Sequence, residues 1–521
     1  MFPISTLITE NTILINVTPY ATLVLIFFLS ILWYFLKRSP NPPLPPGPRG
    51  LPIVGNFPFL DLELHRYFTT LAQSHGPIFK LNLGSKLTVV VNSPALAREI
   101  LKDQDINFSN HDIPLTGRAL TYGGIDLVSL PYGVEYRMLR KVYVVKLLNR
   151  KTLDSFYELR RKEIRERTRY LYQKGQEESP VKVGDQIFLA MMNLTMNMLW
   201  GCSVKAEEME TVGTEFKEVI SEIIRLLGVP NVFDFFPLLA RFDLQGLVKK
   251  MHLCTRKVDA IIERAIEQMQ RLRSRSGDDG ECNEFLQHLI KLNEQEADSE
   301  VPFTLDHVKA VLMDIVVGGS DTTTNTIEFA MAELIRNPEL MKKAQQELEE
   351  VVCKDNIVEE SHITRLPYIG PIMKETLRGL YPTISLLVPH RSTETAVVGG
   401  YTIPKNAQTF INVWCIHRDP NVWDNPTEFR PERFIDNNTC DFKGTDYRFL
   451  PFGSGRRMCA GTTLAEKMVL YTLATLLHSF DWKIPKGHML DLEERFGIVL
   501  KIKNPLVALP VPRLSNSNLY L

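Results

Sequence analysis

Polar and apolar positions fall into three regimes along the chain. Residues 11–36 carry no charge, and 21–36 are almost wholly apolar. A membrane-spanning helix needs about 20 mostly apolar residues, so 18–38 is expected to be a transmembrane anchor. Trp33 and Tyr34 lie near its end, where amphipathic rings favour the interface, and Lys37 and Arg38 follow. Glu10 is the one charge before it, so the positive-inside bias places 1–17 in the lumen and the remainder in the cytosol. The rival reading is a cleaved signal peptide, which would want a basic leading region and a small-residue cleavage site. Asn16 and Thr18 form a glycosylation sequon if that end is lumenal.

The second regime is 39–50, with six prolines between Pro40 and Pro48. Proline locks φ and cannot continue a helix, so this stretch is expected to be a stiff, extended hinge. The third runs from 51 to 521, where helical periodicity dominates: 95–102, 155–174, 213–227, 257–273, 305–336, 338–352 and 462–478. Short strand-like runs occur at 78–83, 87–91 and 409–413. The expected architecture is one large domain, mainly α with a small β portion, behind the N-terminal transmembrane helix.

Composition narrows the field further. In 521 residues, 60 Lys and Arg balance 61 Asp and Glu, which leaves no electrostatic footprint for nucleic acid. A hydrophobic fraction of 44% and a charged fraction of 23% argue against disorder. Cysteines at 202, 254, 282, 353, 415, 440 and 459 are scattered and form no CxxC pair. A disulfide framework or structural zinc is therefore disfavoured, and a reducing compartment is expected.

Two segments break local rules. Thr304 can cap a helix that runs to Arg336 before Asn337-Pro338, about 48 Å at 1.5 Å per residue. Its middle reads Gly318-Gly-Ser-Asp-Thr-Thr323, and two glycines cost about 2 kcal/mol of helix propensity. A kink or close helix crossing is one explanation; a gap where a bulky group approaches, beside Asp321 and Thr322, is the other. The second segment is Pro451–Gly461, where Gly453, Gly455 and Gly461 permit a tight loop and Cys459 sits just before a helix. The helix N-terminus and nearby Arg456 and Arg457 are expected to favour a thiolate, as nucleophile or as ligand for a soft metal. A buried, inert cysteine is the bland alternative. Glu375 and Arg378 share one helix face, and Arg433 beside Phe434 could join them in a buried network.

Together these segments resemble the cytochrome P450 family of haem-thiolate monooxygenases. Its Phe-x-x-Gly-x-Arg-x-Cys-x-Gly signature is met at Phe452, Gly455, Arg457, Cys459 and Gly461, and its Glu-x-x-Arg pair at Glu375 and Arg378. Pro431–Phe434 and Gly318–Thr323 match two further motifs. The resemblance implies haem b (iron protoporphyrin IX), with Cys459 as axial iron ligand, whose electron push favours O–O cleavage. It implies haem contacts from Arg457, Arg140, Tyr136, His390 and Phe452, with Arg391 a weaker candidate. Asp321 and Thr322 would pass protons to dioxygen. Gly318 and Gly319 would leave room for oxygen and substrate, with Ile384, Leu387 and Ile498 lining the pocket. Glu375, Arg378 and Arg433 would form the structural triad.

Two departures stand out. Tyr136 replaces the family's usual tryptophan, and Gly-Leu-Tyr-Pro382 after Arg378 carries one extra residue. The resemblance also implies electrons from NADPH–cytochrome P450 reductase, with Arg137, Arg140, Lys141 and Lys146 as a basic docking face. Residues 325–333, 413–419 and 508–515 are similar to the plant subgroup that oxidises sesquiterpenes and sometimes flavonoids. The expectation is an endoplasmic-reticulum-anchored monooxygenase of a hydrophobic metabolite, a sesquiterpene first and a flavonoid or phenolic second. Further rivals are a haem-thiolate isomerase or dehydratase and a non-enzymatic haem-binding membrane protein.

Overall fold

The structure, a computed structural model, describes residues 42–200, 206–276, 285–295, 301–435 and 440–521, together with Leu25 and Phe27. The expected lumenal segment, most of the expected anchor, Cys202 and Cys282 lie outside the described residues. Leu25 and Phe27 are helical and exposed. Among the described residues, no helix is long and apolar enough to cross a membrane.

Helices build most of the body: α1 (Leu64–His75), α2 (Val134–Lys141), α3 (Tyr157–Gln176), α4 (Val183–Trp200), α5 (Ala206–Gly228), α6 (Leu247–Ser276), α7 (Leu305–Arg336), α8 (Pro338–Val352), α9 (Ile369–Glu375) and α10 (Thr462–Ser479). The bounds of α7 and α8 match those the sequence predicts. Helix α4 carried no prediction: Met191, Met192, Leu194 and Leu199 are buried among a helix that is apolar almost all round, so it has no stripe for periodicity to find.

The centre of the molecule is α7, packed along α4 and α10. Thr304 caps it as expected, accepting from His307 N–H while His307 Nδ1 accepts the Thr304 N–H at 3.1 Å. The unfavourable threonine run is accommodated inside the helix. Ser320, Thr322, Thr324 and Thr326 donate to carbonyls four residues back, at 2.6–3.1 Å.

Strands β1 (Ile78–Leu83), β2 (Lys86–Val91), β3 (Asn110–His111), β4 (His390–Arg391) and β5 (Gln408–Ile411) form one mixed sheet in the order β1-β2-β5-β4-β3. Only the β2–β5 pairing is parallel. Val89, Val90 and Val91 are fully buried, and burial of such side chains contributes about 1.5–3 kcal/mol each. The described part of the proline segment is extended, and it is bonded to the body. Pro46 O accepts Lys80 N–H at 2.8 Å and Pro43 O accepts Thr402 N–H at 2.9 Å.

A π-helical turn, Thr376–Leu380, closes α9 with Tyr381 N–H bonded to Thr376 O at 3.3 Å, at the place where the sequence reading expects one extra residue. Such turns take up one inserted residue without breaking a helix, and they cluster at functional sites. A second π-helical turn, Val142–Leu147, follows α2.

Candidate active site

The cysteine loop is shaped by its backbone. Gly455 adopts φ 68°, and a Cβ there would meet Leu101 O at 2.4 Å, so glycine is required on both counts. Cys459 N–H then reaches Phe452 O at 3.0 Å, and Gly461 N–H points at Cys459 Sγ at 3.3 Å. Helix α10 begins directly after. Cys459 sits deep within the protein, yet its surface is open to a cavity of about 580 Å³.

One expectation about this thiol is corrected. Burial pushes the Cys459 thiol up; the Gly461 N–H and the charge of Arg140 pull less strongly the other way. Neither arginine named from the sequence acts on it. Arg456 pairs with Asp105 at 3.0 Å, and Arg457 turns toward the carbonyls of Ser109, Leu127 and Leu130. A cationic metal at Sγ, rather than the surrounding residues, is what would favour the thiolate.

The wall opposite in sequence logic is α7. Gly318 lines the same cavity, and a Cβ placed there would meet nothing within 4 Å. Glycine at 318 therefore opens space, as one of the two sequence readings requires. Gly319 and Thr322 also line the cavity, as do Ile384, Leu387, Ile498 and Phe452. Leu387 does so from a left-handed backbone, φ 52°.

Asp321 behaves differently from its predicted partner. It is buried and does not line the cavity; its Oδ1 accepts from Lys501 Nζ at 2.7 Å and its Oδ2 has no partner. The sequence held no signal for Lys501, which is 180 residues away.

A positively charged edge closes the cavity. Arg140, Arg457, Tyr136 and His390 all line it, while Arg391 does not. Arg457 lies 4.1 Å above the Tyr136 ring. The Tyr136 hydroxyl, expected to meet an anionic group, instead donates to Arg456 O at 2.5 Å. Arg140 donates to Met458 O at 2.6 Å. His390 Nδ1 bonds Phe108 O at 2.7 Å, and burial holds its pKa at about 4, so it is neutral. His111, missed in the sequence, stacks edge-on against His390 at 5.2 Å and lines the cavity as well. Burial keeps its imidazole well below the usual range.

The predicted triad is present. Glu375 and Arg378 are fully buried; Arg378 holds Glu375 through Nε at 2.8 Å and Nη2 at 2.9 Å, and Arg433 Nε adds a third bond at 3.0 Å. Arg378 Nη1 reaches His417 O at 2.7 Å, and His417 Nε2 accepts the Leu450 N–H at 2.9 Å. The network thus grips the chain just before Pro451, where the cysteine loop begins. His417 is the link the sequence did not reveal.

A soft ligand facing an open helix gap, with guanidinium charge at one edge, suits a flat, metal-bearing dianion such as a haem. Two Arg457 N–H donors remain after its three carbonyl bonds, and Arg140 retains more, so the edge still has donors for carboxylates. The residues present fit that group. They define a haem-binding protein.

Comparison with known proteins gives the family. The cytochrome P450 model matches residues 45–509. A flavonoid 3′-monooxygenase of Crocosmia x crocosmiiflora is 40% identical over 504 residues, 95% of this chain and 98% of the relative. A geraniol 8-hydroxylase of Swertia mussotii is 36% identical over 482 residues, covering 92% and 95%. Among solved structures, a zebra fish cytochrome P450 with progesterone superposes with a TM-score of 0.71 at 26% identity, covering 86% of this chain and 99% of that one. This chain belongs to the cytochrome P450 family. It is a haem-containing monooxygenase that uses dioxygen, a small substrate and a redox partner.

Proposed function

We propose that this monooxygenase hydroxylates a phenolic, flavonoid-like substrate. The similarity to a flavonoid 3′-monooxygenase over 95% of the chain carries the reading. The cavity supports it: its largely apolar wall is interrupted by the hydroxyl-bearing Thr323, Thr326, Thr383 and Ser385. Thr326 is already bonded to Thr322 O and to the Thr383 hydroxyl, at 3.0 and 3.3 Å. A substrate hydroxyl could engage Thr323 and Ser385, which a pure hydrocarbon such as the sesquiterpene first expected could not. The expectation placed second therefore stands better than the one placed first.

Cys459 is the axial ligand in this reading, and Arg140 and Arg457 hold the carboxylate edge of the haem, with His390 and His111 beside them. When bound, the haem supplies the iron at which dioxygen is reductively cleaved. The chain's own work is to place and protonate. Gly318 leaves the space, and the Thr322 hydroxyl, donating to Gly318 O at 2.6 Å, stands at the cavity surface. Asp321 lies behind it on Lys501, where it can return protons to Thr322 without occupying substrate space.

NADPH–cytochrome P450 reductase is the electron donor of this proposal. Arg137, Lys141 and Lys146 are exposed along α2 and the turn after it, mixed with exposed Val134, Val144 and Val145. That mixture of charge and apolar surface suits a transient docking face. Arg140, turned to Met458, leaves the expected group. The anchor at 18–38 would hold the enzyme on the endoplasmic reticulum membrane. The test is a microsomal preparation with reductase and NADPH, offered flavanones and terpenes, with products read by mass spectrometry. A hydroxylated flavanone is expected; products from terpene hydrocarbons alone would overturn the substrate class.

A further inference from the structure

One wall of the cavity is the turn of a small hairpin. Strand β6 (Glu494–Arg495) pairs antiparallel with β7 (Lys501–Ile502), and Phe496, Gly497, Ile498 and Val499 between them line the cavity. The two strands have two residues each and form a sheet of their own. A two-stranded stem of that length does not hold itself, so the wall stands where other contacts put its stem.

Lys501 ties β7 to Asp321 on α7 at 2.7 Å. Glu494 ties β6 elsewhere, and no motif names it. It is buried, and three side chains converge on its Oε1. His65 Nε2 donates at 2.9 Å, Arg66 Nε and Nη2 at 3.0 and 2.8 Å, and Trp414 Nε1 at 3.1 Å. Arg418 Nη2 stands 3.9 Å from Oε2, with its guanidinium 3.9 Å over the Trp414 ring. Burial alone would raise the Glu494 carboxyl. The His65 bond, the charge of Arg418 and the Arg66 bonds outweigh it and hold the group below the usual carboxylate range, so it is ionised.

This cluster reaches the cavity although Glu494 itself does not line it. The His65 ring stacks on Phe496, with centroids 5.2 Å apart and planes 16° from parallel. Trp414 N–H donates to Ser385 O at 3.1 Å, and Leu500 N–H donates to Thr383 O at 2.9 Å. The hairpin turn and the segment around Thr383 and Ser385 are thus joined into one wall, with Glu494 at the point where α1, Trp414 and the hairpin stem meet.

We propose that Glu494 is a positioning residue: through His65, Arg66 and Trp414 it sets where the Phe496–Val499 wall stands, and so which bulky ligands the cavity accepts. The proposal goes beyond the flavonoid reading and stands apart from it, because the wall bounds the cavity whatever compound enters.

The test therefore uses ligands that need no turnover. Full-length, haem-loaded enzyme is titrated with imidazole and with clotrimazole, an imidazole carrying three aryl rings, following the shift of the haem absorption band. Both bind iron through an imidazole nitrogen, so the ratio of their Kd values reports the wall and cancels effects at the metal. In Glu494→Gln the preference for clotrimazole is expected to fall about tenfold, with the imidazole Kd and the band of the reduced, carbon-monoxide-bound protein unchanged. Trp414→Phe keeps a ring and removes one donor, so a fall of about threefold is expected. Glu494→Gln decides where it retains haem, and Trp414→Phe decides where it does not. An unchanged ratio in the deciding variant overturns the positioning role, as does an equal loss for both azoles. Haem lost from both variants marks the cluster as structural only and overturns the proposal as well.

Discussion

Around the cysteine loop, Glu375 accepts four hydrogen bonds, from Arg378 twice, Arg433 Nε and the Arg430 N–H. At the middle of α7 a carboxylate is served differently: Asp321 has one oxygen bonded to Lys501 and one without a partner. Both regions are buried and charged. The saturated one fixes the chain that carries the iron ligand, and the unsaturated one faces the reaction. A buried acid whose lone pairs are filled by protein has nothing left to offer a substrate or a proton. Orphaned oxygens cost stability and are retained where chemistry needs them.

The widest gap between the regions should appear on breaking the triad. Arg378→Met strips two bonds from a fully buried carboxylate and costs about 3–5 kcal/mol, a large share of a typical folding free energy. Loss of haem content and of the red-shifted band of the reduced, carbon-monoxide-bound protein is expected; a stable haem-loaded variant would erase the contrast. On the other side, Asp321→Asn should retain haem and lose about a hundredfold in turnover. Thr322→Ala should uncouple NADPH use from product, measured as the ratio of the two; unchanged coupling would remove Thr322 from the proton path.

A smaller effect sharpens the structural side. Burial, with Arg378 and Arg418 nearby, holds His417 at about 3, against about 6.5 when unfolded. The folded imidazole stays neutral while the unfolded one gains a proton. Its contribution is thus complete above pH 6.5 and declines by up to about 1.4 kcal/mol per unit as pH falls toward 3. His417→Gln should flatten that acid limb in denaturation curves. Least of all, Leu387→Gly relieves a left-handed backbone while trimming the cavity wall, so stability should change by about 1 kcal/mol or less. Altered regiochemistry of the product would place Leu387 against substrate; an unchanged product pattern would not.

Legibility in the sequence followed the same division. The α7 bounds, its cap and the glycine gap were readable because they are local: a threonine cap, a proline stop and missing side chains. The triad was readable in part, since Glu375 and Arg378 lie three apart, whereas His417 enters through its backbone and ring from 39 residues away. Glu494 and Lys501 left no trace, because glutamates and lysines at unremarkable spacing look like solvated surface. Arg456 and Arg457 misled for the opposite reason. Proximity in sequence suggested an effect on Cys459 that their side chains, aimed elsewhere, do not exert.

By itself, the sequence determined a mainly helical domain, a glycine-broken central helix, a cysteine in a tight loop and hence the family. These depend on propensity, φ freedom and residue spacing, which act over a few residues. Tertiary structure alone decided which carboxylates are saturated and which are orphaned, where Asp321 points, and what the cationic edge still has to give. Those outcomes depend on burial and on partners brought together from distant segments. Desolvation, which sets what a buried aspartate can offer to a neighbour, exists only once the chain has closed around it.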